Sequence, residues 1–529
     1  MSESAIVDPQ LDVRRPFGLS VITSWWQSPD PFGPPAPSPS RTDPEIPSVR
    51  ATMQAGAEAI DYYFLGEADV EVEAWHRLLD PNPGDVEGVG AKLEGVYQTL
   101  GYRSPQTYDA VAAKVARAFR AVPESSRVPR GYTRIPAFAT HVKMISQAYA
   151  TCLDTEPHLE PLLDIWRSTE PDAYPVVEPR GNCPLLPLMA ALAAASAVGA
   201  RVVEVVGGLR VQHGVEDPCD QAFPRQDWVD AHLAATQPRA ERTNVTPLDV
   251  LVENLFRLAT YVLTKLPAAE PLPRPDDKGL VHRPPVTLAM EVEPSSCHLL
   301  NGPDRYRELK RAYVELVQRR VTALQEASLA GGPDLLRRYQ AFVDVQGDGA
   351  DGDWDQLRRL YRLCVGLNVD VGHLLLLGHR PTDLSRLVWR DGPALMDAPT
   401  QRPAPVESLA TPPTDLVSPD LRDLCGEIVH YHLSDHRGAH YCDVPPGEHH
   451  AAIEFEGWIR QAYALACLSG LPSWTQDDIP TVHPNVTRHM ALELEASPAG
   501  FDQLVSAHAR VSRWMRHCIA NPDPIESVE

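Results

Sequence analysis

Short apolar runs alternate with longer amphipathic segments along most of this chain. The β-branched run Arg201–Gly208 is typical of a buried strand, whereas Pro247–Leu266 has apolar residues at helical spacing. Eight strand-like runs recur in this way, separated by helical or irregular segments. Such alternation favours a parallel sheet, and eight units favour a closed (β/α)8 barrel.

The predicted architecture is therefore an α/β fold, a single TIM-barrel domain that spans residues 1–529. Three stretches are long for simple crossovers, and we interpret them as helical and Pro-rich insertions at about 67–130, 297–360 and 380–420. The eight predicted strands are, in order, Phe17–Trp26, Ala59–Leu65, Ile135–Met144, Arg201–Gly208, Val286–Pro294, Cys364–His373, Ile428–Ser434 and His489–Ala496.

The charge balance narrows the choice of partners. The 529 residues include 48 basic and 71 acidic side chains, giving a net charge of −23. Such a surface repels phosphate backbones, so the composition disfavours nucleic-acid binding and suits a small-molecule substrate. It leaves the oligomeric state open, with a homodimer as one alternative.

Cysteine use and hydropathy predict the compartment. The 9 cysteines are scattered without a CxxC pair, which favours a reducing environment over a disulfide framework. The first residues lack an apolar signal core, and the longest apolar run, Leu185–Ala200, reads as a buried helix. We expect a cytoplasmic protein that does not bind membranes.

The ends of the predicted strands carry the candidate chemistry, because active sites of such barrels lie at the C-terminal ends of the strands. Four successive strands, the fifth to the eighth, end in acidic or histidine side chains. Acidic residues are depleted in strands and costly inside a barrel. The residues at the strand ends are Trp25, Trp26, His141, Glu291, Glu293, Asp370, His373, His432, Asp435, Glu493 and Glu495.

Each of these residues alone has an ordinary structural explanation, such as a helix cap at Asp370 or an ion pair at Glu291. Taken together, three carboxylates and an imidazole that converge on one point would repel one another without a cation. A bound Mn²⁺, Mg²⁺, Fe²⁺, Co²⁺ or Zn²⁺ would resolve that repulsion. The pattern therefore predicts a divalent-metal site.

The segment Ile428–Glu448 is the densest group of potential ligands. His430 and His432 share one strand face, and His430 lies one pleat deeper, where we expect a core or supporting role. The residues beyond the strand belong to a loop over the barrel mouth, and Cys442 is expected to have no metal role. These loop candidates are Asp435, His436, His440 and Asp443.

Several phrases resemble a known group of proteins. LAMEVEP, NVDVGH, HYHLSDH and MALELE are similar to the metal-binding strand ends of the xylose isomerase-like barrel superfamily. QAGAEAIDYYFL and AASAVGARVVEVVGG resemble its second and fourth strand units. That superfamily includes sugar isomerases, ketose 3-epimerases, inosose dehydratases and the endonuclease IV branch.

The resemblance implies a metal held by Glu291, Asp370, His432 and Glu493, with Glu291 and Glu493 also acting as catalytic base and acid. Glu293 and Glu495 share strand faces with these two glutamates, so a slip of two residues stays open. The implied activity is a metal-dependent isomerase, epimerase or lyase that acts on a sugar-like or polyol substrate through an enediolate-type intermediate.

Two further classes stay open. One is a binuclear iron or zinc enzyme, an oxygen-dependent enzyme or a phosphoesterase, acting on a specialised metabolite; the other is a barrel that has lost catalysis. We expect one ion and leave a second open. Candidate ligands of a second ion are His141, His373, His440 and Asp443. Candidate substrate contacts are Trp25, Trp26, Asp435 and His436.

Overall fold

The computed structural model describes the chain in separate stretches. They are residues 17–22, 59–63, 137–139, 200–207, 247–273, 280–294, 298–330, 352–379, 426–436, 444–468, 482–494 and 500–520, with single positions between 165 and 196 and at 339 and 424.

Parallel strands occupy the centre of the molecule. The strands are β1 (Gly18–Ile22), β2 (Ala59–Tyr63), β3 (Ala137–Ala139), β4 (Val202–Val206), β5 (Leu272–Pro273), β6 (Leu280–Val281), β7 (Thr287–Glu291), β8 (Val365–Asp370), β9 (Ile428–Leu433) and β10 (His489–Leu492). The parallel strands pair in the closed order β1-β10-β9-β8-β7-β4-β3-β2, while β5 and β6 form a separate two-stranded antiparallel sheet.

The helices surround this sheet. Among the described residues they are α1 (Pro247–Lys265), α2 (Pro303–Leu329), α3 (Gly352–Leu363), α4 (Val371–Leu376), α5 (Ala452–Leu468) and α6 (Gly500–Ala520). The mixed α/β class and a parallel sheet of TIM-barrel type are thus confirmed. A helix after every strand stays a prediction, as do the single domain and its three insertions.

Helix α1 shows how an apolar helix face packs into the main core. Leu251, Leu255, Leu258 and Val262 recur at helical spacing, and all four are fully buried in the main core. Burial of each such side chain stabilises the fold by about 1.5–3 kcal/mol. The hydroxyl of Thr260 also lies 2.8 Å from that of Tyr361, which links α1 to α3.

The predicted strand Cys364–His373 is too long. The strand β8 ends at Asp370, whose side chain accepts a hydrogen bond of 2.9 Å from the backbone N–H of His373 and so caps α4. An aspartate that satisfies a free N–H in this way begins a helix rather than extending a strand. His373 therefore lies on a helix.

The register brings the strand ends to one edge of the sheet. Val206 is opposite Glu291, and Asp370 is opposite His432 in the neighbouring pair of strands. Glu493 follows β10 directly. Among the described helices, none is long and apolar enough to span a membrane.

Candidate metal centre

Four side chains meet at this edge of the sheet. Glu291, Asp370, His432 and Glu493 each place one potential ligand atom within 4.8 Å of the others. Three of them are almost completely buried, while the side chain of Glu493 is 22% exposed. The structure thus brings together the four residues that the sequence singled out; their binding of a metal stays a prediction.

His432 lies at the centre of the group. Its Nδ1 is 2.7 Å from Oε2 of Glu493 and 3.4 Å from Oε1 of Glu291. The amide nitrogen of Asn368 lies 3.2 Å from the same atom. The imidazole therefore directs Nδ1, rather than Nε2, at the carboxylates.

The carboxylate of Asp370 is fixed from two sides. Ser434 Oγ donates a hydrogen bond of 2.9 Å to it, in addition to the N–H of His373. Gly372 makes room for this contact, because a Cβ atom at that position would lie 2.2 Å from Ser434 Oγ. Partners of this kind orient a metal ligand and tune its affinity.

Glu204 is a further buried acid, which the pattern of strand ends did not identify. It lies in the middle of β4, is 3% exposed, and its side chain is hydrogen-bonded to that of Glu291. Burial first, and the negative charge of Glu291 second, raise its pKa well above the usual value. The signal in the sequence was a single acid inside the apolar run VVEVV.

The electrostatics of the ion-free group show an excess of negative charge. Burial and the negative charges of Glu291 and Asp370 together outweigh the attraction of His432 and raise the pKa of Glu493 to about 7. The pKa of His432 is well above its usual value, because the two glutamates outweigh its burial. His432 in turn outweighs burial at Glu291 and lowers the pKa of that carboxyl to about 2.

The donor set fits a divalent cation. Among the described contacts of Glu291, Asp370 and Glu493, none is with a lysine or an arginine. Three carboxylates and one imidazole match the ligands that borderline and hard divalent ions prefer. A cation here would neutralise the negative charge that is left after His432 has offset part of it.

Glu293 lies apart from this group. Its carboxylate is 3.9 Å from Nδ1 of His298, and the side chain is 21% exposed. Glu291, two residues earlier on the chain, is the glutamate that faces His432. Glu493 is the corresponding glutamate at the end of β10, and Glu495 lies outside the described residues.

Other predicted site residues have separate environments. Nδ1 of His373 lies 3.2 Å from the carbonyl oxygen of Val292 and 4.0 Å from Glu291. Its role at a second ion stays a prediction. The predicted residues that lie outside the described part of the chain are Trp25, Trp26, His141, His440, Cys442 and Asp443.

Asp435 connects the end of β9 to the described segment 444–450. Its two oxygens accept hydrogen bonds from the backbone N–H groups of His436, Gly447, His449 and His450, and Nδ1 of His450 lies 2.7 Å away. Burial raises its pKa, but these hydrogen bonds outweigh burial and hold the pKa below the usual value. A substrate contact by Asp435 or His436 stays a prediction.

Comparison with known proteins gives structural similarity alone. No protein-family model matches the chain, and a comparison with curated proteins gives no match. Among solved structures, an L-ribulose 3-epimerase is 11% identical with a TM-score of 0.35, over 97% of this chain and 99% of that protein.

Two other solved structures are similar to the same degree. The IolI protein with a binding zinc atom and a xylose isomerase domain protein from Planctomyces limnophilus are each 10% identical. Each has a TM-score of 0.33, over 96% of this chain and 100% of the other. Scores this low carry no weight for function, so a functional assignment depends on the side chains of the site alone.

Proposed function

We propose that this protein is a metal-dependent isomerase, epimerase or lyase acting on a sugar-like or polyol small molecule that contains a carbonyl group. The observation that carries the proposal is the buried group Glu291, Asp370, His432 and Glu493, in which three carboxylates surround one imidazole. These four residues would hold a divalent cation. When bound, it supplies a Lewis acid that stabilises negative charge on a substrate carbonyl oxygen.

The positions of the two glutamates support a role for them in proton transfer. Glu291 ends β7 and Glu493 follows β10, and β8 and β9 lie between these strands in the sheet. The carboxylates therefore approach the centre of the group from two sides. One would remove the proton from the carbon beside the carbonyl, and the other would return a proton to give the enediolate-type rearrangement.

The burial of the four residues supports separate roles for holding the ion and for transferring the proton. Asp370 and His432 are fixed by Ser434 and Asn368 and are almost fully buried, which suits them to hold an ion. Glu493 is the member of the group with the largest exposure, so it has the readiest access to a substrate entering from solvent.

The test is exchange of the carbon-bound proton. The full chain, loaded with Mn²⁺, Co²⁺ or Zn²⁺, is incubated in D₂O with a panel of ketoses and inososes. After the incubation, the metal is removed by chelation, and NMR then measures how much of the proton beside the carbonyl has been lost. We expect exchange that stops on chelation, and that stops in Glu291→Gln but persists in the matched control Glu293→Gln.

If the metal-loaded protein exchanges no proton in any compound of the panel, the result would contradict the isomerase chemistry. It would not contradict metal binding by the four residues. Equal rates with and without chelator would contradict the metal dependence.

A further inference from the structure

A second polar group lies inside the sheet, two residues before His432 on β9. The Nε2 atom of His430 is 2.5 Å from Oδ2 of Asp61 on β2, and its Nδ1 is 2.6 Å from the hydroxyl of Thr487. Asp61 and His430 are fully buried, and Thr487 is 5% exposed. Burial raises the pKa of Asp61, but the adjacent His430 outweighs burial and holds it below the usual value.

The hydroxyl of Thr487 identifies which nitrogen of His430 carries a proton. That hydroxyl donates its hydrogen to the carbonyl oxygen of His489, at 3.0 Å. It can therefore only accept a hydrogen bond from Nδ1–H of His430. In the neutral imidazole, Nε2 then points a lone pair at the carboxylate of Asp61.

Two facing acceptors require a positive charge between them. A proton would give a buried imidazolium–carboxylate pair, and a metal ion would give coordination by both atoms. An imidazole that donates its other N–H to a neighbouring acceptor is the arrangement by which proteins orient a metal-binding histidine. A bridging water does not fit a separation of 2.5 Å.

His432 connects this group to the candidate metal centre. Its Nδ1 faces Glu291 and Glu493, whereas its buried Nε2 has no hydrogen-bond partner among the described residues. The same is true of Oδ1 of Asp61. Asp61, His430 and His432 each offer one ligand atom within 4.8 Å of the others.

From these contacts we infer that Asp61, His430 and His432 form a second divalent-cation site, with the imidazole of His432 bridging the two ions. The inference rests on the proposed function insofar as His432 is shared between the sites. Binding releases to solvent any proton carried on Nε2 of His430 and on either ring nitrogen of His432, because these three nitrogens then coordinate. The two cations together offset four buried carboxylates, those of Asp61, Glu291, Asp370 and Glu493.

The two sites differ in the ions that they prefer. Three carboxylates with one imidazole suit Mn²⁺ or Mg²⁺, whereas two imidazoles with one carboxylate suit Zn²⁺, Fe²⁺ or Co²⁺. Coordinating atoms about 2.0–2.2 Å from an ion lie roughly 3–3.5 Å apart, so the contact between His430 and Asp61 opens by about 0.5–1 Å on binding.

The experiment is a metal titration of the ion-free full chain with Co²⁺ and Zn²⁺, followed by gel filtration and elemental analysis. We expect two ions per chain in the unmodified protein and one in Asp61→Asn. Thr487→Val should lower the affinity for the second ion by about 10–100-fold, because it removes the hydroxyl group that orients His430. Thr264→Val is the matched control, because the buried hydroxyl of Thr264 donates to the carbonyl oxygen of Thr260 within α1. It should leave both ions bound.

A spectroscopic readout separates a bridged pair from two independent ions. Two Cu²⁺ ions that share the imidazole of His432 should couple magnetically and lose most of their EPR signal. In Asp61→Asn the signal of a single uncoupled Cu²⁺ should return. Thermal unfolding of each ion-free variant shows whether it folds.

The outcomes also separate this site from the proposed centre. One ion per chain that is retained in Asp61→Asn and lost in Asp370→Asn overturns the second site and leaves the first. An ion lost in Asp61→Asn and retained in Asp370→Asn supports the second site and contradicts the first. Metal-free protein at saturating Co²⁺ and Zn²⁺ overturns both.

Discussion

Two buried charged groups in this molecule are built in opposite ways. In the helical layer, the carboxylate of Glu253 lies 2.7 Å from the guanidinium of Arg257 and 2.8 Å from that of Arg320. At the strand ends, Glu291, Asp370 and Glu493 surround one histidine. The first group neutralises its acid with its own side chains, whereas the second has negative charge in excess.

The pKa values differ accordingly. Burial raises the pKa of Glu253, but Arg320 and Arg257 outweigh it and lower the pKa to about 2. Burial and neighbouring acids raise that of Glu493 to about 7. A buried acid with two guanidinium partners is part of the scaffold, while a buried acid among other acids indicates a site that an external cation completes.

The largest expected effect is at the helical group. Glu253→Gln leaves two buried guanidinium groups without their carboxylate, so the free energy of unfolding should fall by about 3–5 kcal/mol. Denaturant unfolding measures this loss. Asp355→Asn is the matched control, because the side chain of Asp355 is 67% exposed and its ion pair with Arg358 should contribute less than about 1 kcal/mol. Equal losses of unfolding free energy in the two variants would contradict the claim that the buried arginines depend on Glu253 for their neutralisation.

The next effect is at the candidate metal centre. Gly372→Ala puts a Cβ atom against Ser434 Oγ, which should displace the hydrogen bond to Asp370 and weaken metal affinity by about 10–100-fold. Calorimetric titration with Mn²⁺ measures the change. Gly302→Ala is the control, since its Cβ would meet no described atom within 4 Å. Unchanged affinity in Gly372→Ala would show that Asp370 does not hold the ion.

The smallest effect is on the pH dependence of stability. The folded pKa of Glu493 lies above its unfolded value, so its carboxyl favours the folded ion-free protein when protonated, and this contribution is lost as pH rises from about 4.5 to about 7. The expected loss is about 1–2 kcal/mol, less than the full shift because Glu493 is partly exposed. Glu493→Gln should abolish it, and saturating metal should reverse it.

Thermal unfolding across this pH range is the measurement. The pH dependence that Glu253 contributes has the opposite sign and lies at lower pH. Its folded pKa lies below the unfolded value, so its stabilisation of the folded protein is lost as pH falls from about 4.5 to about 2. Ion-free protein whose stability is unaffected by Glu493→Gln between pH 4.5 and 7 would show that the acids do not repel one another.

The strand ends predicted a metal site, because the ends of parallel strands meet at one edge. The resemblance to the xylose isomerase-like barrels then implied which four residues would hold the ion. Neither the strand ends nor the resemblance identified Glu204 or Asp61, which lie within strands. Their alternation with apolar neighbours shows which face they occupy, but the partner of an inward-facing acid depends on the register of distant strands. Asp61 and His430 are 369 residues apart in the chain.

Helix α3 begins at Gly352, inside the segment Asp344–Asp355, whose acidic and glycine-rich composition is by itself typical of a solvated turn. Its buried face comprises Trp354, Leu357, Leu360 and Tyr361, which pack into the main core. Tertiary packing of this apolar face outweighed the local preference of glycine and aspartate for a turn.

The central claim is that the strand-end acids hold a divalent cation, and the metal content of the full chain tests it most directly. Elemental analysis is made on the unmodified protein, on Glu291→Gln and Asp370→Asn, and on the control Glu293→Gln. We expect at least one ion per chain in the unmodified protein and the control. We expect both ligand variants to carry one ion per chain fewer than the control. An unmodified protein without metal, or ligand variants that bind metal as tightly as the control, would contradict the claim.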